Sequence, residues 1–333
     1  MIQELKFLVQ LLSPLYRPPA YKAISFPEVD LENLLKIAEQ NNLLYYTAQI
    51  LRKNYFNYIT AEHREKINKI ISNGQVQLQK IDFALNLLNK NFNNLLLVKT
   101  YRNYPRLAND LDILTKNFIV DMAKLKDLNL QASDYDPKLQ EVIFYQDKIA
   151  KIHLHGSLSW QNRLYFDNDL IWQQPKTILL GQQEIAIPNP TADWLIHLAH
   201  MNFEPLHFTL SELLYLFNLT EQIDKKVIMQ QSKKYHWHHA LIKTLHILNN
   251  FHNYFYHQPL LVNNIIPPTK LITHADSDYQ LPKSFSRWHI ITAFLAKGII
   301  IQPLIKINKV IKILITGNAR KGFYQAPENN LLK

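Results

Sequence analysis

The chain has 333 residues, 47% of them hydrophobic and 19% charged, with a formal net charge of +10 and no cysteine. That length suits two or three domains with true cores, and the composition excludes wholesale disorder. The missing cysteines exclude disulfides and thiolate metal sites, and the lack of any run of roughly eighteen uncharged apolar residues removes the expectation of a transmembrane helix.

Met1 to Leu12 carries Glu4 and Lys6 inside its apolar pattern and shows no small-residue cleavage site. It reads as an amphipathic helix and not as a signal peptide, so the expected location is cytoplasmic. The charge is uneven. Residues 281–333 hold nine Lys and Arg against Glu328 alone, whereas the first 280 hold 28 basic and 26 acidic residues. Any attraction to nucleic acid or anionic lipid therefore belongs to the tail.

Apolar residues at helical spacing predict helices over 2–13 and 29–53, separated by the Pro-rich connection Pro14 to Pro27. Thr60, followed by Glu62 and Glu65, predicts the N-cap of a third helix running to about Asn91. At Asn93 the pattern changes to short β-type runs at 95–99, 110–114, 128–132, 142–146 and 150–155, with a helix at 118–125. Asp147 and Lys148 sit in the expected hairpin turn between the last two strands. Two more short strands, 177–180 and 184–187, precede helices beginning at Thr191 and lying near 209–223, 225–234 and 237–253.

The stretch 94–115 carries the chemistry. It reads as a buried strand, a polar connection, and a second strand in which Asp110 and Asp112 project to one side while Leu111 and Ile113 turn into a core. Two adjacent carboxylates repel unless a cation lies between them or one is protonated. A hard divalent ion that also binds phosphates is the natural occupant, and a solvated Asp-x-Asp pair at a strand edge is the other reading.

Val98-Lys99-Thr100, then Tyr104-Pro105-Arg106, then Asp110-Leu-Asp-Ile-Leu, then Ile152-His153-Leu154-His155, follow one another in an order that resembles the uncharacterised nucleotidyltransferase-like family of the DNA polymerase β superfamily. Leu170-Ile-Trp172, Ile187-Pro-Asn-Pro190, Trp194 to His200 and Leu210 to Phe217 continue the likeness, which covers roughly residues 30–260. The resemblance implies an α-rich α+β fold: a small mixed-sheet nucleotidyltransferase core over 93–190, an N-terminal helical region over 1–92, a helical region over 191–280, and a basic apolar tail over 281–333. It implies transfer of a nucleotidyl group from an NTP to a hydroxyl acceptor, whether small molecule, peptide, protein or RNA. Asp110 and Asp112 would hold Mg²⁺ or Mn²⁺, and Lys99, Thr100 and Arg106 would bind the nucleotide. His153 would replace the acid that activates the acceptor.

Three positions depart from the family pattern. Thr100 stands where a Gly usually lets the backbone approach the triphosphate, Tyr101 replaces the neighbouring Ser, and His153 replaces a third carboxylate. These departures favour a rival expectation, a catalytically degenerate fold kept as a binding or assembly module. His155 shares the strand face of His153, and Glu141 and Asp147 are candidates for the missing carboxylate.

Other clusters read more than one way. His197 and His200, one helical turn apart, suit a buried pair or, with His207, a zinc site. Lys233 to His239 interleaves bases with aromatics as single-strand binders do, or simply joins two helices. The apolar stretch Trp288 to Ile315, with Lys297, Lys306, Lys309 and Lys312, fits an anionic surface, a partner, or a helix pair packed on the body.

Overall fold

The computed structural model describes residues 2–101, 107–137, 140–160, 163–203, 209–258 and 260, so Arg106, His207 and the tail 281–333 lie outside the described residues. Helices α1 (Ile2–Leu11), α2 (Leu31–Gln40), α3 (Leu44–Asn54) and α4 (Ala61–Asn91) come first. The single helical stretch expected over 29–53 is two helices. Asn42 takes a left-handed φ of 57°, and the N–H groups of Asn42 and Leu43 return to Glu39 O (3.0 Å) and Ala38 O (2.8 Å). This Schellman-type stop places Asn where Gly is commoner. Thr60 caps α4 as expected, its hydroxyl accepting from His63 N–H. With 31 residues α4 is about 46 Å long.

Five strands follow α4 and form one mixed sheet. They are β1 (Leu95–Val98), β2 (Asp110–Thr115), β3 (Gln131–Asp136), β4 (Glu141–Tyr145) and β5 (Lys151–His155), in the spatial order β1-β2-β5-β4-β3. Helix α5 (Phe118–Asp127) connects β2 to β3. The central pair β2 and β5 is parallel, and the other neighbours are antiparallel. After the short pair β6 (Ser159–Trp160) and β7 (Arg163–Leu164) comes a hairpin, β8 (Lys176–Leu180) and β9 (Gln183–Ile187). Its turn is pinned to α4, because the Asp82 carboxylate accepts from Gln182 N–H at 3.2 Å. Gly181 is required there: its φ is +62°, and a Cβ would run into the Asp82 carboxylate. Helices α6 (Pro190–Phe203), α7 (Leu210–Leu219), α8 (Lys225–Lys234) and α9 (His238–Tyr256) close the described chain. The architecture is helix-rich α+β with a small mixed sheet, as expected at that level.

Two apolar cores explain how the sheet is held. One face of the sheet contributes Leu97, Leu111, Ile113, Ile152 and Leu154 to a core completed by Ile81, Leu85 and Leu88 of α4. The other face contributes Leu96, Val98 and Leu114 to a larger core shared by α1 to α3, the first half of α4, and α6 to α9. The helical regions before and after the sheet thus bury their apolar sides together. Two further bonds tie α4 to the residues that lead into β2 and β5: Gln77 Nε2 donates to Ala108 O (2.8 Å) and Ala150 N–H to Lys80 O (3.0 Å).

Near the outer surface, Asp167 accepts hydrogen bonds from Lys234 Nζ (2.6 Å), Tyr235 Oη (2.5 Å) and Gln231 Nε2 (2.9 Å), joining the segment before α6 to the end of α8. These bonds, led by that from Lys234, pull its pKa down to about 2. A folded-state value below the unfolded one stabilises the fold above about pH 4, and this part is lost as pH falls toward about 2. The carboxylate is 34% exposed, so solvent screening limits the effect to about 1 kcal/mol or less. Denaturant unfolding of wild type and Asp167→Asn should differ by this amount near neutral pH and converge near about pH 2.

Candidate metal centre

Strand alternation decides which side chains meet. In β2, Leu111 and Ile113 are fully buried beneath α4, which turns Asp110 and Asp112 to the opposite face. In β5, Ile152 and Leu154 go down with them, and Lys151, His153 and His155 go up. The parallel register sets Asp112 beside His153 and Asp110 beside Lys151. The antiparallel register of β4 then sets Glu141 beside His155. Two carboxylates and two imidazoles therefore gather on one face of three adjacent strands.

The contacts are close. His155 Nε2 lies 2.9 Å from Asp112 Oδ1, and its Nδ1 lies 3.2 Å from Glu141 Oε1. His153 Nδ1 is 3.4 Å from the same Asp112 oxygen, and its Nε2 is 3.9 Å from Glu141 Oε2. The two rings have centroids 3.9 Å apart. The His155 side chain is 1% exposed, whereas those of Asp112, Glu141 and His153 are 16%, 22% and 23% exposed, so the group is reached from one side. Burial alone would raise the Asp112 pKa, but hydrogen bonds from His153 and His155, with the nearby Lys99 charge, hold it well below the usual carboxylate range. Burial would likewise lower that of His155, and its bonds to Asp112 and Glu141 outweigh this and raise it.

The connection after β1 is built around Lys99. Its φ is +58°, and Thr100 N–H bonds to Val98 O at 2.5 Å, closing a tight three-residue turn. Thr100 is buried. Its hydroxyl accepts from Asp112 N–H at 3.0 Å and lies 3.5 Å from Asp110 O. The Thr side chain thus continues the β1–β2 ladder one step beyond the last backbone pair, Val98 with Asp112. Tyr101 packs edge-on against Tyr215, with centroids 6.2 Å apart. Tyr215 in turn bonds Asp193, whose carboxylate lies 3.4 Å from His197 Nε2. His197 is therefore a buried member of an α6–α7 polar network, and His200 lies one turn along the same helix.

Among the described residues, the side chains whose ligand atoms lie within 4.8 Å of one another, as a metal ion requires, are Asp112, His153 and His155. Asp110 shares their face but not that group. Asp147 lies in the β4–β5 turn, at the far end of the ladder from Glu141 and His155, and does not join them. The expectation from sequence is Asp110 and Asp112 holding Mg²⁺ or Mn²⁺. The possible metal-binding group in the structure offers one carboxylate and two imidazoles, a set that suits Mn²⁺ or Zn²⁺ and suits Mg²⁺ poorly. His155 had one sequence signal, its two-residue spacing from His153. The pairing of Glu141 with His155 had none, because it depends on hairpin register.

Thr100→Val keeps the shape of the side chain but leaves Asp112 N–H without its acceptor. It should cost about 1–3 kcal/mol in denaturant unfolding and speed amide exchange at Asp112, with Thr100→Ser restoring both. Comparisons of the chain with protein families, curated proteins and solved structures return no match.

Proposed function

We propose that the chain binds a nucleoside triphosphate at this face of the sheet and transfers its nucleotidyl group to a hydroxyl acceptor, the acceptor oxygen bonding the α-phosphorus as the α–β phosphoanhydride breaks and pyrophosphate leaves. The observation that carries this reading is the register of β1, β2 and β5, in which Asp112 has Val98 on one side and His153 on the other. That is the arrangement the motif order of Val98-Lys99-Thr100, the Asp-x-Asp strand and the His-x-His strand implies in the resemblance to the nucleotidyltransferase-like family. Lys99, at the tip of the tight turn and close enough to Asp112 to act on its charge, would hold phosphate oxygens; Arg106, outside the described residues, is the second cation the resemblance implies. His153 would receive the acceptor's proton, and Asp112, bonded to it, would orient its ring. A divalent ion, Mn²⁺ in preference to Mg²⁺ for this donor set, would neutralise charge on the phosphates during transfer.

Two observations favour the second reading, a non-catalytic binding or assembly module. Asp112 is already held by both imidazoles, and Thr100 spends its hydroxyl on the β2 backbone. Label transfer from each NTP separates the two readings: binding accompanied by transfer supports the enzyme, and binding alone supports the module. Calorimetry with each NTP and Mn²⁺ should show binding by wild type that is lost in Asp110→Asn/Asp112→Asn. Equal behaviour of the two proteins would end both nucleotide readings.

Lys99 supplies a sharper test, because its two contributions have opposite sign. Lys99→Gly relieves a left-handed backbone, worth roughly 0.5–1 kcal/mol, but removes the charge beside Asp112, so the stability of the fold should change little. It also removes a phosphate-binding charge, so NTP affinity should fall roughly tenfold or more.

A further inference from the structure

We infer that Asp112, His153 and His155 form a three-ligand site for a borderline transition-metal ion of the Zn²⁺ class, with Glu141 as the outer carboxylate that orients the His155 imidazole. The inference uses the same side chains as the proposed function but does not depend on nucleotide chemistry. It departs from the resemblance, which implies Mg²⁺ or Mn²⁺ held by Asp110 and Asp112.

The geometry separates an inner from an outer side. Asp112 Oδ1, His155 Nε2 and His153 Nδ1 converge, with the two nitrogens 2.9 and 3.4 Å from the oxygen. Metal–ligand bonds of the usual Zn–N and Zn–O lengths put neighbouring ligand atoms of a tetrahedral centre about 3.3 Å apart. The two spacings bracket that figure. The remaining nitrogens, His155 Nδ1 and His153 Nε2, both turn away from Asp112 toward the two oxygens of Glu141, at 3.2 and 3.9 Å. Metal-binding histidines characteristically donate the nitrogen not on the metal to such a carboxylate, which fixes the tautomer and the ring angle. Glu141 does this for His155, at hydrogen-bond distance, and lies at ion-pair distance from His153. The charges also balance: Asp112 and Glu141 together offset a divalent ion beside two neutral imidazoles. Three protein ligands leave the exposed side open for water or substrate, the arrangement of a catalytic and not a structural centre.

On this assignment His153 acts as a ligand, which competes with its role as proton acceptor above. Full-length protein freed of metal by chelation should bind one Zn²⁺ per chain, with a rise in melting temperature, in the absence of nucleotide. A millimolar excess of Mg²⁺ should neither raise the melting temperature nor compete with Zn²⁺. Co²⁺ should give the visible absorption of a low-coordinate site with nitrogen ligands. Binding should be lost in Asp112→Asn and in His153→Gln, the latter chosen because the ring is partly exposed. Glu141→Gln should keep the stoichiometry and weaken affinity roughly 10–100-fold. Circular dichroism of each metal-free variant checks that it remains folded. Zn²⁺ binding undiminished in a folded His153→Gln or Asp112→Asn, or Mg²⁺ competing on equal terms, would overturn the assignment. Metal binding as expected with no NTP binding would leave this site standing and remove the nucleotide reading.

Discussion

The structure turns on how the Asp112 carboxylate is accommodated in a sheet whose other face is buried against α4. A carboxylate taken this far from water is tolerated only with compensating donors or cations. Two imidazoles from β5 supply them, and Glu141 balances the imidazoles from the far side. That arrangement needs β2 beside β5 in parallel and β4 beside β5 antiparallel. The strand order and the local chemistry therefore support each other, and a register slip of one residue would break both.

Much of this was legible in the sequence because alternation and helical periodicity are local signals. Four of the five strands, α4 with its Thr60 cap, and the shared face of Asp110 and Asp112 follow from spacing alone, whereas the strand expected over 128–132 is β3 at Gln131–Asp136, because α5 runs on to Asp127. What stayed hidden depends on residues far apart in the chain, or on a backbone choice that the side chain does not dictate. Asn42 breaks the expected helix over 29–53 by adopting a conformation that Asn tolerates without requiring it. The link from Glu141 to His155 needs the hairpin register, and the hydroxyl of Thr100 reaches a β2 amide that no motif specifies. The helices on either side of the sheet were legible one by one, but their common core was not, since it joins residues more than a hundred positions apart.

The turn at Lys99 shows a conflict of the kind that collects at functional positions. A Lys in left-handed backbone costs stability that a Gly would not, and local rules give no reason for it. Its charge beside Asp112 does give one. Thr100 next to it presents the reverse case: its hydroxyl ties the end of β1 to β2, which a Gly could not do. One residue of this turn thus loses stability and the next restores some of it.

Helix α4 has a consequence for how the protein comes apart. Its first half is buried with α1 to α3 and α6 to α9, its second half lies on the sheet, and Leu96, Val98 and Leu114 carry the sheet's other face into the helical core. Residues 93–190 excised alone would expose apolar surface on both sides, so the sheet has no independent stability to draw on. Loosening among the outer helices is therefore felt at the sheet face that carries Asp112, His153 and His155, because Leu96, Val98 and Leu114 on that face belong to the helical core.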